Sequence, residues 1–277
     1  MSTPPDGISV ILPVHAAVAP GELAAALASL SQQTLVPDEV VIVADGPLSV
    51  AHDVELERYA QTRPEVRTIR LSTNRGAGVA TQAALTAARH TWVAKVDADD
   101  LLMPHRLESQ LRRLTSSGAD VCSTAMVEFV GSPDHVVGTR TTPVTHAEFA
   151  RLMRYRNPVN HPTVMFRRAA AVSSGGYRHL PYLEDYDLWA RMLRDGATFV
   201  GLAEPLVSFR TDGMLSRRRQ LSALRSELLL QPRLHRYGVV SAARMPLNLA
   251  LRCGFLLLPM PVLRVAYGRI FRGKDGS

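Results

Sequence analysis

Hydrophobic positions come in short runs over the first 120 residues, and the runs alternate in kind. "ISVILPV" (8–14) is a continuous apolar run stopped by Pro13 and a loop, which predicts a strand buried on both faces. "GELAAALASLSQQ" follows as a helix, and "DEVVIVADG" (38–46) is a second buried strand closed by an Asp-Gly turn. "VRTIRLS" (66–72) predicts a third strand and "GAGVATQAALTAARH" (76–90) an alanine-rich helix. "TWVAKVDADD" is then a fourth strand, and "PHRLESQLRRLTSSG" a helix with Pro104 in its first turn. Alternation of this kind implies crossover connections and a mostly parallel sheet covered by helices on both faces, an α/β architecture. Ligands of such sheets bind beyond the carboxyl ends of the strands. Asp45 and the acids at 97, 99 and 100 fall at those ends.

The second half is less regular. "ADVCSTAMVEFV" (119–130) predicts a strand, 131–145 a loop and "THAEFARLMRYR" a helix. "HPTVMFRRAAAVSSGGYR" reads as a strand, a short helix and a Gly-Gly turn. "LEDYDLWARMLRDG" (183–196) has the spacing of a helix ending at Gly196, and "ATFVGLAEPLVSFR" supplies one more strand. There is no internal repeat and no low-complexity segment.

Composition adds a compartment and a division of charge. At 277 residues and 46% hydrophobic, the chain is large enough to bury a full core. Cys122 and Cys253 stand alone and far apart, which fits neither a disulfide framework nor a thiolate metal site and implies a reducing compartment. "MSTPPDGISV" carries no secretory pattern, so a cytoplasmic working face is expected. Residues 217–277 hold twelve Arg or Lys against two Asp or Glu, a net of +10, whereas the whole chain carries +7. The body is therefore mildly acidic and the tail strongly basic. Lysine occurs only at 95 and 274 against thirty arginines, which reads as the stamp of a GC-rich genome and not of a mechanism.

In the tail, the longest stretch without a strongly polar residue is Cys253 to Leu263, eleven residues interrupted by Pro259 and Pro261. Even as an ideal helix it would reach only about 17 Å, against a hydrocarbon core of roughly 30 Å. It is too short to span. Its apolar residues between arginines suit the interface of an anionic membrane, with the arginines snorkelling to headgroups. Arg244, Asn248 and Arg252 would form one polar stripe along a helix. The alternative is packing against the body or a partner subunit; nucleic acid is not expected, because phosphate tracking needs no such apolar run.

The chemistry begins with Asp97 and Asp99. Residues two apart in extended chain point the same way, so both carboxylates converge, with Ala98 leaving room between them. Two hard oxygen donors at a strand end suit Mg2+ or Mn2+, which fills its shell with water and phosphate oxygens. The partner would be a diphosphate. The rival reading is a helix cap among solvated loop acids, and Asp100 is assigned to that capping role. Glu184 and Asp185 stand at a helix start, where charge–dipole attraction alone accounts for them. They also meet the need of a transfer reaction for a carboxylate that accepts a proton from an attacking hydroxyl.

Taken in order, "SVILPV", "EVVIVADGPL", "NRGAGVATQAAL", "VAKVDADDLLMPHR", "NPVNHPTVMFR", "GGYR", "LEDYDLWARML" and "FRTDGMLSRRR" resemble a family 2 glycosyltransferase of the GT-A fold, in the subgroup of amylovoran-type exopolysaccharide transferases. The resemblance covers most of residues 8–219. It implies a GT-A domain over 1–216, a Rossmann-like nucleotide-diphospho-sugar transferase fold, followed by a basic amphipathic helical tail over 217–277. It implies that Pro13, Val14 and Asp45 border the nucleotide base, with Arg75 touching the nucleotide or lying at the surface. Asp97 would lie near ribose and metal, and Asp99 would be the direct ligand of Mg2+ or Mn2+. Asp185 would be the general base, with Glu184 beside it positioning the acceptor. Arg210 and Arg217, Arg218 and Arg219 would hold the diphosphate or face solvent.

Three positions depart from the pattern: Ala44 precedes Asp45 where a second acid is common, Gln82 replaces Asn, and Asp212 stands where many relatives carry histidine. His161 reads as structural. The implied activity is inverting, metal-dependent transfer of a sugar from a nucleotide-linked donor, by resemblance a UDP-sugar, to a saccharide or a polyprenyl-diphosphate-linked saccharide. It would act at the inner face of the plasma membrane. A sugar-phosphate nucleotidyltransferase would open with a glycine-rich loop that "PVHAAVAPG" lacks; a non-catalytic nucleotide-sugar-binding scaffold is the third reading.

Overall fold

The computed structural model describes residues 7–180, 182–212 and 221–257, with Val262 and Ala266 beyond. Arg217, Arg218 and Arg219 lie outside the described residues. Strands β1 (Ile8–Val14), β2 (Glu39–Ala44), β3 (Val66–Arg70) and β4 (Trp92–Lys95) alternate with helices α1 (Pro20–Ser31), α2 (Val50–Ala60) and α3 (Ala77–Ala87). Then follow β5 (Leu101–Leu102), α4 (Arg106–Ser117), β6 (Val121–Val130), β7 (Ser132–Arg140) and α5 (His146–Leu152). A 3-10 turn at His161–Thr163 leads to β8 (Met165–Arg167), α6 (Arg168–Ser173), α7 (Glu184–Arg194) and β9 (Phe199–Arg210). The described chain closes with α8 (Leu221–Arg236) and α9 (Arg244–Leu257).

One nine-stranded sheet runs in the order β3-β2-β1-β4-β8-β6-β9-β5, with β7 paired to β6. It is parallel through β3, β2, β1 and β4 and again between β6 and β9, while β8, β7 and β5 run antiparallel to their neighbours. Successive residues of a strand face opposite sides, and here both sides are dry. Val10, Leu12, Val40 and Ile42 pack with Leu23, Leu27, Leu56 and Leu107 on one face. Ile11, Val41 and Val43 pack with Ala80, Ala84, Trp189 and Leu230 on the other. Continuous apolar runs were therefore the right signature for the central strands.

Two local expectations are corrected and one open alternative is decided. The segment 131–145, read as a loop, contains β7, which pairs Val127 with Thr139 and Met126 with Arg140 after a turn at Gly131 (φ +68°). Its residues 132–136 are exposed, so no apolar alternation announced it; the hairpin is closed by Arg140 on buried Glu128, 2.8 Å away. Helix α4 begins at Arg106 with His105 as its cap, not in the turn opened by Pro104. The stripe Arg244, Asn248 and Arg252 forms along α9 but faces the protein: Asn248 donates to the carbonyl of Arg154 at 2.8 Å, and Arg252 pairs with Glu227 at 2.5 Å. Leu230, Leu234, Val239 and Val240 belong to the same core as α7, so residues 221–257 pack on the body.

Trp189 on α7 is fully buried, edge-on to Phe166 and Tyr177 with ring centroids 5.6 and 6.2 Å away. Trp189→Ala is expected to destabilise the protein by about 3–5 kcal/mol in a denaturant titration. A loss below about 1 kcal/mol, the range of surface substitutions, would contradict this placement.

Candidate active site

β1, β2 and β4 end at one edge of the sheet, and the register brings Val14 level with Ala44 and Ile11 level with Lys95. At the β1–β2 end, Asp45 is almost wholly buried. Its two carboxylate oxygens accept from the backbone amides of Arg75 and Gly76, at 2.7 and 2.9 Å. It thereby fixes the loop that starts α3. Gly46 (φ +90°) is needed there, since a Cβ would lie 2.6 Å from the amide nitrogen of Asn74. Pro13 and Val14 form the floor of this end, and the side chain of Arg75 is exposed.

Beyond β4 one more ladder bond, from the Val96 amide to the carbonyl of Ile11 at 3.0 Å, carries the chain forward before it turns through residues 97–100. Asp97 keeps about a quarter of its side chain exposed and forms an ion pair with Lys95. Asp99 is half-buried. Asp100 is not a helix cap. It is buried, accepts from the Arg210 amide at 2.8 Å through one oxygen, and has no hydrogen-bond partner for the other among the described residues. Burial, then the charge of Asp99, holds its carboxyl well above the usual range.

Two buried cations lie under this loop. Burial draws the Lys95 ammonium down to about 8, against the opposing pull of Asp100, Asp99 and Glu184. Arg106 is fully buried and donates to the carbonyl of Lys95 at 2.7 Å. Burial lowers it to about 10, with Asp100 working the other way. Arg210 closes the loop from the end of β9. Its guanidinium pairs with Glu22 at 3.2 Å, donates to the carbonyls of Gly131 at 2.7 Å and Asp99 at 3.4 Å, and lies over the Phe129 ring. Arg210 thus does not face solvent. Asp212 accepts from the Gly131 amide and from Arg210 at the same corner.

The second acid pair enters from α7, whose first turn packs on α3. A Cβ at Gly78 would lie 3.2 Å from the Cβ and Cγ of Glu184, so the close approach depends on that glycine. Glu184 is buried, and its Oε2 has no hydrogen-bond partner among the described residues. Burial, then the charge of Asp185, pushes its carboxyl up to about 7, while its own backbone amide and Lys95 pull it down. Asp185 is held differently: Oδ2 accepts from Asn157 Nδ2 at 2.6 Å and Oδ1 from the Tyr186 amide at 2.8 Å. The Tyr186 hydroxyl is in turn anchored on the carbonyl of Met153. Behind the pair, Tyr177 meets His161 Nε2 at 3.1 Å, and burial with the Lys95 charge keeps that imidazole neutral. Gln82, the residue in place of Asn, accepts from the Tyr177 amide at 2.6 Å; a Cβ on Gly176 (φ +59°) would fall 2.2 Å from its Oε1.

The structure therefore places Asp97, Asp99 and Glu184 around Lys95, with Asp185 beside Glu184, and Asp45, Pro13 and Val14 at the neighbouring strand ends. Lys95, Arg106, Arg210 and Asn157 complete the site. Lys95 had a signal that was read as genome composition; Asn157 had none beyond its place in "NPVNHP". Among the described residues, no three His, Cys, Asp or Glu side chains are placed to hold a metal together. Asp97 and Asp99 offer the one or two carboxylates that Mg2+ uses when a diphosphate supplies the remaining oxygens, so the donor set fits such an ion.

An α/β sheet with one acid pair at the end of a central strand and a second at a facing helix start is the architecture of a nucleotide-sugar transferase of the GT-A type. The model of the family described as glycosyl transferase family 2 matches residues 9–175, and the chain belongs to that family of glycosyltransferases. It is 32% identical to the amylovoran biosynthesis glycosyltransferase AmsE of Erwinia amylovora, over 96% of this chain and 99% of that one. It is 26% identical to an Escherichia coli UDP-Gal:alpha-D-GlcNAc-diphosphoundecaprenol beta-1,3-galactosyltransferase, over 98% and 99%.

Among solved structures, TarS 1–349 of S. aureus matches with a TM-score of 0.62 at 19% identity, over 83% of this chain and 65% of that one. Its complex with UDP matches at 0.59 and 18%, over 92% and 76%. The mannosyltransferase PcManGT of Pyrobaculum calidifontis, in complex with GDP-Man and Mn2+, matches at 0.60 and 17%, over 95% and 79%. These likenesses establish the GT-A-like fold.

Glu184 generates a pH test. Its folded value of about 7 exceeds the unfolded 4.5, so its contribution to stability is full below 4.5 and is lost as pH rises through 7. Glu184→Gln is expected to unfold much like wild type at low pH and to be more stable than wild type at pH 8, by roughly 1–3 kcal/mol. Parallel stability profiles for the two proteins across that range would contradict the raised carboxyl.

Proposed function

We propose that the protein moves a sugar, with inversion, from a nucleoside-diphosphate donor to a hydroxyl of a saccharide or polyprenyl-diphosphate-linked saccharide in the synthesis of a surface polysaccharide. The observation that carries this reading is the meeting of two unlike acid pairs at one strand edge. Asp97 and Asp99 remain accessible beside a buried cation, while Asp185 is held by Asn157 and the Tyr186 amide with its neighbour Glu184 desolvated.

Held in orientation by Asn157 and the Tyr186 amide, Asp185 is the group that takes the proton of the acceptor hydroxyl as it attacks opposite the leaving diphosphate. Glu184, protonated below about 7, orients the acceptor as a donor to its oxygens. Asp97 and Asp99 would hold Mg2+ or Mn2+, which would supply Lewis-acid compensation for the negative charge of the departing diphosphate. Lys95 lowers the repulsion among the carboxylates before any ligand arrives. Pro13, Val14 and Asp45 border the base, with Arg75 at the rim. UDP is the favoured carrier because the E. coli relative is named for UDP-Gal and a TarS structure holds UDP. The acceptor reading and the site of action at the inner face of the plasma membrane follow the diphosphoundecaprenol of that relative's name.

Asp185→Asn is expected to bind donor as wild type does and to lose transfer by ~10²- to 10⁴-fold. Turnover at the wild-type rate would refute the base. Asp99→Ala is expected to abolish the Mg2+-dependent part of UDP binding in calorimetry, and unchanged affinity would count against its role at the ion. A panel of nucleotide sugars scored for slow metal-dependent hydrolysis identifies the donor, and the anomeric configuration of the product by NMR tests inversion.

A further inference from the structure

Helix α9 is amphipathic the wrong way round for a helix on a water-exposed surface. Its inward side carries the polar residues. Arg252 pairs with Glu227 at 2.5 Å, donates to the carbonyl of Tyr155 at 2.8 Å and lies 5.3 Å from the Tyr186 ring centre. Asn248 donates to the carbonyl of Arg154, and Arg244 stacks on Tyr155 at 4.0 Å. The exposed positions from Pro246 to Gly254 are Pro246, Leu247, Ala250, Leu251 and Gly254, and none of them is polar. Leu247 and Leu251 are 48% and 61% exposed. On α8, Leu228 and Leu229 are also turned outward, 50% and 44% exposed, with Arg225 and Arg236 exposed on the same helix.

A helix of this kind cannot roll its charges into water without breaking the bonds of Arg252 and Asn248, so its apolar side needs a non-aqueous cover. No helix among the described residues is long and apolar enough to cross a membrane. Charge decides among the covers. Residues 217–277 carry a net of +10, and the sequence beyond α9 continues apolar to Leu263 before Arg264, Arg269, Arg272 and Lys274. The exposed arginines of the neighbouring helix, Arg225 and Arg236, and the basic sequence after Leu263 favour an anionic leaflet, which also receives the leucines, over a second copy carrying the same charges.

We infer that the outward face of α9 is a docking surface for an anionic membrane, keyed by Asn248 and Arg252 to the segment that positions Asp185. That segment is 154–157, which accepts from α9 at Arg154 and Tyr155 and donates to Asp185 from Asn157. The docking surface stands independently of the transfer reaction; its value in presenting a lipid-linked acceptor to Asp185 rests on that reading.

The test is flotation of the full chain with vesicles of phosphatidylcholine alone or mixed with phosphatidylglycerol, for wild type and Leu247→Glu/Leu251→Glu. Both leucines are exposed, so the variant is expected to fold. Wild type is expected to float with the anionic vesicles only, and the variant to bind them ~10-fold less or weaker still. UDP-sugar hydrolysis without acceptor should be the same in both, and light scattering should find both monomeric. Wild type left at the bottom of both gradients, equal flotation on neutral vesicles, or a variant that floats like wild type would each overturn the proposal. So would a wild-type dimer that the variant splits, which would make the face a subunit interface. Failure of the enzymatic reading would show instead as no donor hydrolysis by wild type, and would leave the flotation result untouched.

Discussion

Carboxylates crowded at one strand edge repel each other and lose hydration on burial, and the site exists because two cations are buried with them. Lys95 ends β4 directly below the acid loop, and Arg106 reaches back to the Lys95 carbonyl from the start of α4. Burial works against the charged form of both cations and against the ionised form of Asp100 and Glu184. Each set holds the other in the fold. The balance is incomplete: among the described residues, one oxygen each of Asp100 and Glu184 has no hydrogen-bond partner. Buried carboxyl groups beside one ammonium suit a ligand that brings a cation and polar groups of its own, as the proposed nucleotide sugar with its acceptor would.

Around that balance the fold supplies rigid supports from distant parts of the chain. Arg210 ties the acid loop to α1 through Glu22 and to the β6–β7 turn through Gly131. Asn157 and Tyr186 fix Asp185 from two sides, and α9 grips the segment bearing Asn157. Two glycines, 78 and 176, let α3 close on α7 and on the Tyr177 turn. The side that carries Asp185 is thus continuous with the C-terminal helices, while the side proposed to take the nucleotide is built from the ends of β1, β2 and β4.

What was legible in the sequence follows from whether the determinant is local. The central strands announced themselves as unbroken apolar runs because both faces of the sheet are covered, and the candidate acids stood out by their place at a strand end and a helix start within a run of family-like segments. β7 was missed because its residues 132–136 are exposed and its pairing depends on β6, with Arg140 reaching Glu128 across the hairpin. Asp100 was given to a cap because sequence distance placed it near α4; its partner is the Arg210 amide, 110 positions away. Lys95 was visible as one of two lysines, but a count says nothing of burial. The polar stripe of α9 was legible and its direction was not, since periodicity fixes a face and only tertiary packing decides which way it turns.

The rarity of lysine makes the central claim directly measurable. In protein labelled at lysine, NMR gives two side-chain ammonium sites, Lys95 and Lys274. The account predicts that one titrates near 8, disappears in Lys95→Met, and shifts on addition of UDP-sugar with Mg2+. The other should titrate near ~10.4 and ignore the ligand. Two lysines that both titrate at the ordinary value, with neither responding to the nucleotide sugar, would contradict a buried ammonium at the heart of the donor site.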